Sequence, residues 1–360
     1  MDFAPSLRLL MLASAFALLP LGWVWLRQPQ ADGRRRLLAL SALTLFLTFD
    51  LIVFGSFTRL SDSGLGCPDW PGCYGHASPI GAATDIQAAQ TAQPHGPVTF
   101  GKAWIEMIHR YLAMTVGALI LVMTLASWAA RRTLPLSPWW ATVTLVWVLV
   151  QGLFGALTVT LKLSPAIVTL HLLGGMGLLA LLVVQHEGLR GRRLHWPAWP
   201  RRLLWAVSAV PVLQIALGAW VSSNYAVLAC SGFPQCNGAW WPDMDFGHGF
   251  TLQRELGRAG DGGFLPVQAL VAIHMAHRLF ALVATVALLL LVHVLWHRLS
   301  QRRAALALLA LTLLQLASGL SNVVLGWPLI AALGHAAGAA ALVGVLVSLL
   351  ARSGLPRPAS

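Results

Sequence analysis

The chain has 360 residues, 57% of them hydrophobic and only 10% charged, with a mean hydropathy of +0.71. Soluble domains carry about 25% charged residues, so this composition excludes a water-soluble globular protein and indicates a bilayer protein. The net charge of +12 does not mark a nucleic-acid binder, because the basic residues cluster at the ends of apolar runs, where they orient membrane spans.

About 20 predominantly apolar residues cross a bilayer as a helix. Nine runs meet that length, at 8–26, 37–58, 104–129, 140–161, 167–186, 203–222, 268–296, 304–325 and 329–351. The first is preceded by Asp2 and a single Arg8 and followed by no small-residue cleavage site, so it is expected to stay as an extra helix rather than leave as a signal peptide. With the N-terminus outside, the inner segments collect Arg27, Arg34, Arg35, Arg36, Arg131, Arg132, Arg190, Arg192, Arg193, Arg201, Arg202, Arg298, Arg302, Arg303, Arg352 and Arg357, sixteen of the 24 basic residues. That bias predicts a multi-pass protein of a bacterial inner membrane with its N-terminus on the periplasmic side.

In this orientation the stretch "SGLGCPDWPGCYG" at 63–75 falls in a long outer loop, 59–103, and "ACSGFPQCNG" falls in another, 223–267. Disulfides persist in the oxidising compartment, and Cys67 with Cys73, or Cys230 with Cys236, can each close a small ring. Zinc is the competing reading, but its cysteines are usually spaced two to four residues apart. Two disulfides are therefore expected.

The cysteines also reveal a repeat. Cys67 and Cys73 recur as Cys230 and Cys236 at one common offset along the chain. Gln151, Gly155 and His171 recur as Gln315, Gly319 and His335 at an offset larger by a single position, and "EMIHRYLA" at 106–113 recurs as "HMAHRLFA" at 274–281. The expected fold is an all-α polytopic membrane protein made of two four-helix bundles in parallel repeat, plus one extra N-terminal helix. An even number of spans per unit gives both units the same orientation. The boundaries expected are 1–36 for the extra helix and its basic inner loop, 37–186 for the first unit, 187–202 for an inner linker, 203–351 for the second unit and 352–360 for an inner tail.

Of the twelve histidines, His76, His95 and His248 lie in outer loops, and His186, His195, His293 and His297 lie near inner ends, where solvated or interfacial roles suffice. His109, His171, His277 and His335 lie within apolar helices and obey the repeat. Ionisable side chains inside a bilayer are costly and mark function. His109, about five residues into its expected helix, and His171, six after Pro165, reach similar depth at 1.5 Å per residue. Two flat cofactors, each between two imidazoles, is the economical reading, and haem iron is the tenant that paired histidines suit. Arg110 and Arg278 follow His109 and His277 and are candidates either for haem propionate partners or for snorkelling to headgroups. Glu106 stands one turn before His109, while His274 holds the matching place before His277. A carboxylate at one site only points to chemistry there, against the plainer reading of an acid near a helix N-terminus. Asp50, a further acid within a span, is assigned no role.

Four stretches, "TRLSDSGLGCPDWPGC", "WIEMIHR", "QGLFGALTVTLKLSPAIVTLHLL" and the later "HMAHR", resemble the haem A synthase family of cytochrome oxidase assembly factors over about 37–351. The resemblance implies oxidation of the C8 methyl group of haem O, a farnesylated haem, to the formyl of haem A by successive hydroxylations. It implies His109 and His171 as ligands of the substrate haem, Glu106 as the catalytic acid, and His277 and His335 as ligands of a resident haem b that passes electrons. The first cysteine ring would lie over the substrate mouth. An electron donor, and contacts with haem O synthase or oxidase assembly factors, would be the partners, beside membrane lipid. The extra helix at 8–26 departs from the family's usual eight-helix plan. Two other readings of the residues are a quinol-linked di-haem cytochrome b and a haem transporter.

Overall fold

The computed structural model describes residues 4–27 and 32–354; residues 1–3, 28–31 and 355–360, with Arg357 and most of the expected inner tail, lie outside the described residues. The helices, in chain order, are α1 (Ala4–Arg27), α2 (Gly33–Leu60), α3 (Ala83–Ala92), α4 (Phe100–Ala129), α5 (Trp139–Thr160), α6 (Pro165–Arg190), α7 (Ala198–Ser223), α8 (Phe246–Gly249), α9 (Val267–His297), α10 (Arg302–Val324) and α11 (Leu329–Gly354). Among the described residues nine helices are long and apolar enough to cross a membrane, and they coincide with the nine expected runs. The short α3 and α8 lie inside the two long loops.

Local chemistry sets the ends. Asp32 accepts the Arg35 backbone N–H at 2.7 Å before α2, and Thr99 accepts that of Lys102 at 3.2 Å before α4, each satisfying an N-terminal donor that the helix itself leaves unpaired. The Thr99 cap starts α4 at Phe100, a full turn before the expected boundary at 104, so His109 lies deeper along its helix than expected. Pro165 opens α6 at a position where its missing N–H costs nothing.

The chain divides into two compact units. The first comprises the residues up to Leu161 together with Gly177–Arg192, and the second comprises Lys162–Met176 with Arg193–Gly354. Helix α6 is thus shared: its first half, with His171, groups with the second unit and its second half with the first.

In the first unit Ala17, Leu40, Val116, Leu119, Ile120, Met123, Leu178 and Leu182 form the core. Several polar side chains inside find hydrogen-bond partners: Thr44 and Thr48 hydroxyls donate to carbonyls one turn back, and Gln185 Nε2 donates to Thr144 Oγ1 at 2.5 Å. Outward, α5 exposes Val143, Val146, Leu149, Val150 and Leu153, a stripe suited to lipid. A second cluster joins Leu9 of α1 to Cys67, Cys73, Ala82, Ile86, Ala103 and Met107. The extra helix therefore packs on the first cysteine loop, and Phe16 adds a ring contact to Tyr111 at 6.1 Å.

The second unit has its own core of Leu204, Val207, Leu288, Leu291, Leu295, Leu308, Leu342 and Leu346. Its cysteine loop seats on Val271 and Met275 of α9.

Candidate functional site

Both cysteine pairs form disulfides, Cys67–Cys73 and Cys230–Cys236, and no cluster of three or more metal-ligating side chains stands among the described residues. The rings match in detail. Cys73 pairs with His76 as an isolated antiparallel bridge, and Cys236 pairs with Ala239 in the same way. Tyr74 and Asn237 both take the left-handed conformation, with φ of 49° and 54°. In the first ring Asp69 closes the turn by accepting the N–H groups of Tyr74 and Gly75 at 2.6 and 2.7 Å. Burial, with Asp69 and Asp85 nearby, pushes the Tyr74 phenol above its ordinary pKa.

An arginine holds each ring to the helix that carries a histidine. Arg110 donates to the carbonyls of Asp69 at 2.9 Å, Pro71 at 3.3 Å and Gly72. Arg278 donates to those of Gly232 at 3.2 Å, Gln235 at 3.3 Å and Cys230 at 3.4 Å. Asp69 and Gly72 correspond to Gly232 and Gln235 by the offset that relates the cysteines, so the clamp itself is repeated. The sequence offered propionates or headgroups as partners for these arginines; the ring carbonyls are a third set, invisible in a linear string because they lie far back along the chain.

The residue one turn before each histidine joins the clamp. Glu106, 4% exposed, accepts the Cys67 backbone N–H at 2.8 Å and pairs with Arg110 at 2.5 Å. Both carboxylate oxygens are thus engaged, and the group ties the ring to α4. In the second unit His274 Nε2 accepts from Arg278 Nε at 3.0 Å. The sequence asymmetry between Glu106 and His274 is therefore one between a carboxyl and an imidazole in matching networks.

The four repeated histidines sit on α4, α6, α9 and α11. In the second unit His277 and His335 face each other, with ring centroids 6.5 Å apart and planes at 78°. An imidazole nitrogen binds a metal at about 2 Å, so this gap accommodates one ion shared by both rings, and two neutral imidazoles amid apolar helices are a donor set that suits haem iron. In the first unit His109 stacks against Phe54 at 6.4 Å and 15°.

Sequence reasoning passed over the small residues that make room for these rings. A Cβ on Gly55 would stand 2.9 Å from His109 Cε1, and one on Gly218 would stand 2.9 Å from His277 Cε1. The two glycines are related by the same offset as the cysteines, so the repeat itself could have flagged them. It passed over Gln214 and Ser318 as well, whose amide and hydroxyl lie within 3.1 Å of His277 and 2.9 Å of His335.

The chain is similar to known proteins. A family model described as cytochrome oxidase assembly protein (COX15-CtaA) matches residues 13–347. A heme A synthase of Shewanella oneidensis is 38% identical over 314 residues, covering 85% of this chain and 93% of its own length. A heme A synthase of Caulobacter vibrioides is 28% identical over 328 residues, covering 83% and 90%, and one of Shouchella clausii is 29% identical over 220 residues, covering 59% and 66%. On the strength of a match across nearly all of its helices, the chain belongs to the COX15-CtaA family of cytochrome oxidase assembly proteins.

Proposed function

We propose that this protein is a membrane oxidoreductase that converts haem O to haem A for cytochrome oxidase, taking the C8 methyl to the formyl group by successive hydroxylations. Membership of the family and relatives named heme A synthase support the conversion. The observation that carries the haem reading is the pair His277 and His335, 6.5 Å apart across the interior of the second unit. In this reading they hold a resident haem b, which would supply one-electron transfer when bound. His109 and His171, their counterparts in the sequence repeat, are the ligands of the substrate haem.

Glu106 bonds to the clamping arginine of the first network where His274 does so in the second. A fixed carboxylate one turn from His109 offers negative charge where a methyl carbon becomes electron-poor, and charge placed in advance in a dry site is among the larger catalytic terms. It also accepts protons from a reacting group within reach. Arg110 and the Cys67 N–H hold it in one position throughout.

The test is chromatography and mass analysis of haems extracted from cells that make haem O. Haem A should appear with the intact chain and fall about 10²–10⁴-fold with Glu106→Gln, which keeps the shape of the side chain but not its charge. Haem A at the intact level in Glu106→Gln would reduce Glu106 to a structural tie; absence of haem A with the intact chain would overturn the function.

A further inference from the structure

Helix α1 leaves a cleft of about 520 Å³ beside the first cysteine loop, and all of its walls belong to the first unit. That volume falls in the range of small-molecule sites, about 300–1,000 Å³. One wall is a single stripe of α1: Arg8, Met11, Leu12 and Ala15 follow one another at the three- and four-residue spacing that shares a helix face. The other wall is the segment just past the disulfide, with His76 and Ser78.

Both walls are held from behind. Leu9 of α1 is 2% exposed, in the cluster that includes the first disulfide. The Tyr111 hydroxyl donates to the Ala77 carbonyl at 2.6 Å, and the same ring meets Phe16 of α1. A Cβ on Gly81 would stand 3.0 Å from His76 Nδ1, so a glycine there leaves the imidazole room along the wall.

Depth and chemistry decide what fits. Arg27 closes α1 nineteen positions after Arg8, about 29 Å away at 1.5 Å per residue, against a hydrocarbon core about 30 Å thick. The two arginines therefore mark the two boundaries of that core, and the cleft opens at the headgroup layer on the Arg8 side. No carboxylate lies within ion-pair distance of Arg8 among the described residues. A guanidinium pairs with phosphate oxygens through two parallel N–H bonds. His76 has a ring N–H in either tautomer, and Ser78 has a hydroxyl. From Arg8 inward the stripe is apolar, so the cleft is polar at the headgroup level and greasy below it, as a lipid is.

We infer that this cleft binds one anionic phospholipid, with Arg8, His76 and Ser78 on the phosphate and Met11, Leu12 and Ala15 along the start of an acyl chain. Basic pockets between membrane helices take lipid headgroups in this way. The lipid fills the wedge between α1 and the loop whose Cys67 N–H holds Glu106, and so braces that loop. Family membership does not account for the site, because the family match starts at residue 13, after Arg8, Met11 and Leu12. The inference is also independent of the haem reading.

The experiment uses the full chain, purified in mild detergent and stripped of lipid by extended washing. It is titrated with phosphatidylglycerol or with phosphatidylcholine, and native mass spectrometry counts the lipids bound. The intact chain should take up one phosphatidylglycerol about tenfold more tightly than a further copy or than phosphatidylcholine. Arg8→Gln, which removes a charge-assisted bond, should weaken that first binding about tenfold. Ala15→Trp, which fills the apolar end, should weaken it while leaving the phosphate partners in place. Arg27→Gln, at the other boundary, should leave it unchanged. Arg8 is exposed, so its replacement does not threaten folding. Equal binding of the two lipids, or equal loss in Arg8→Gln and Arg27→Gln, would overturn the inference, since lipid would then only coat the surface. Displacement of phosphatidylglycerol by added haem, whose propionates are also anions, would assign the cleft to haem and overturn the lipid.

Discussion

Gly55 and Gly218 stand where a side chain would meet an imidazole, and the sign of a substitution there separates packing from propensity. Alanine in place of glycine inside a helix ordinarily stabilises by about 0.5–1 kcal/mol. Gly117, on α4, has open space where its Cβ would go, and Gly117→Ala should follow that rule in a thermal melt. Gly218→Ala should do the opposite, because a methyl 2.9 Å from His277 Cε1 forces the ring aside at about 1–3 kcal/mol, and it should also alter the spectrum of the bound haem. Arg110→Ala removes the cation beside a nearly fully buried Glu106, and an uncompensated buried charge costs about 3–5 kcal/mol. A melt no lower than that of the intact chain would show that Glu106 needs no such partner. At this scale the sequence drew attention to the histidines because they repeat within apolar helices, and to Glu106 because its counterpart, His274, breaks the repeat. It did not disclose that Arg110 grips Asp69, Pro71 and Gly72, because a carbonyl acceptor belongs to the backbone and leaves no trace in residue identity.

Among the elements, the long helices were the most legible part, since a bilayer demands apolar runs and little else produces them. The short α3 was not legible: "ATDIQAAQTA" is a short, mixed polar segment, and Ile86 alone sinks into the cluster beneath the first disulfide. The two rings were expected from their cysteines, and the clamp now gives them a mechanical role. Arg278 makes three bonds to ring carbonyls, and a hydrogen bond to a charged donor contributes about 1.5–3 kcal/mol. A difference of about 1.4 kcal/mol is a factor of ten in an equilibrium, so Arg278→Gln should expose Cys230–Cys236 to reductant at least tenfold faster. Mass-tagging of freed thiols over time would measure it, and an unchanged rate would mean that Val271 and Met275 suffice to hold the ring.

For the whole molecule, the distribution of arginine makes a topological prediction. Alkaline phosphatase, active only outside the inner membrane, should be active when fused after Gly81 in the first cysteine loop and inactive when fused after Arg193; the reverse pattern would invert every loop assignment. The near-constant offsets that relate the cysteines, the glycines and the histidines were legible, and the expectation of two four-helix units rests on them. The division of α6 was not, because both halves of that helix are equally apolar and only packing tells them apart.

That division has a consequence for synthesis. The first half of α6 finds its partners in sequence still to be made: Ala166 packs against the Trp220 cluster, and the Thr169 hydroxyl meets that of Ser223, 54 residues further along, at 3.1 Å. A ribosome adding about 5–20 residues per second reaches Ser223 about 3–11 s after Thr169. For that interval the partners of Ala166 and Thr169 do not yet exist, so the first half of α6 reaches its final packing only after α7 is synthesised.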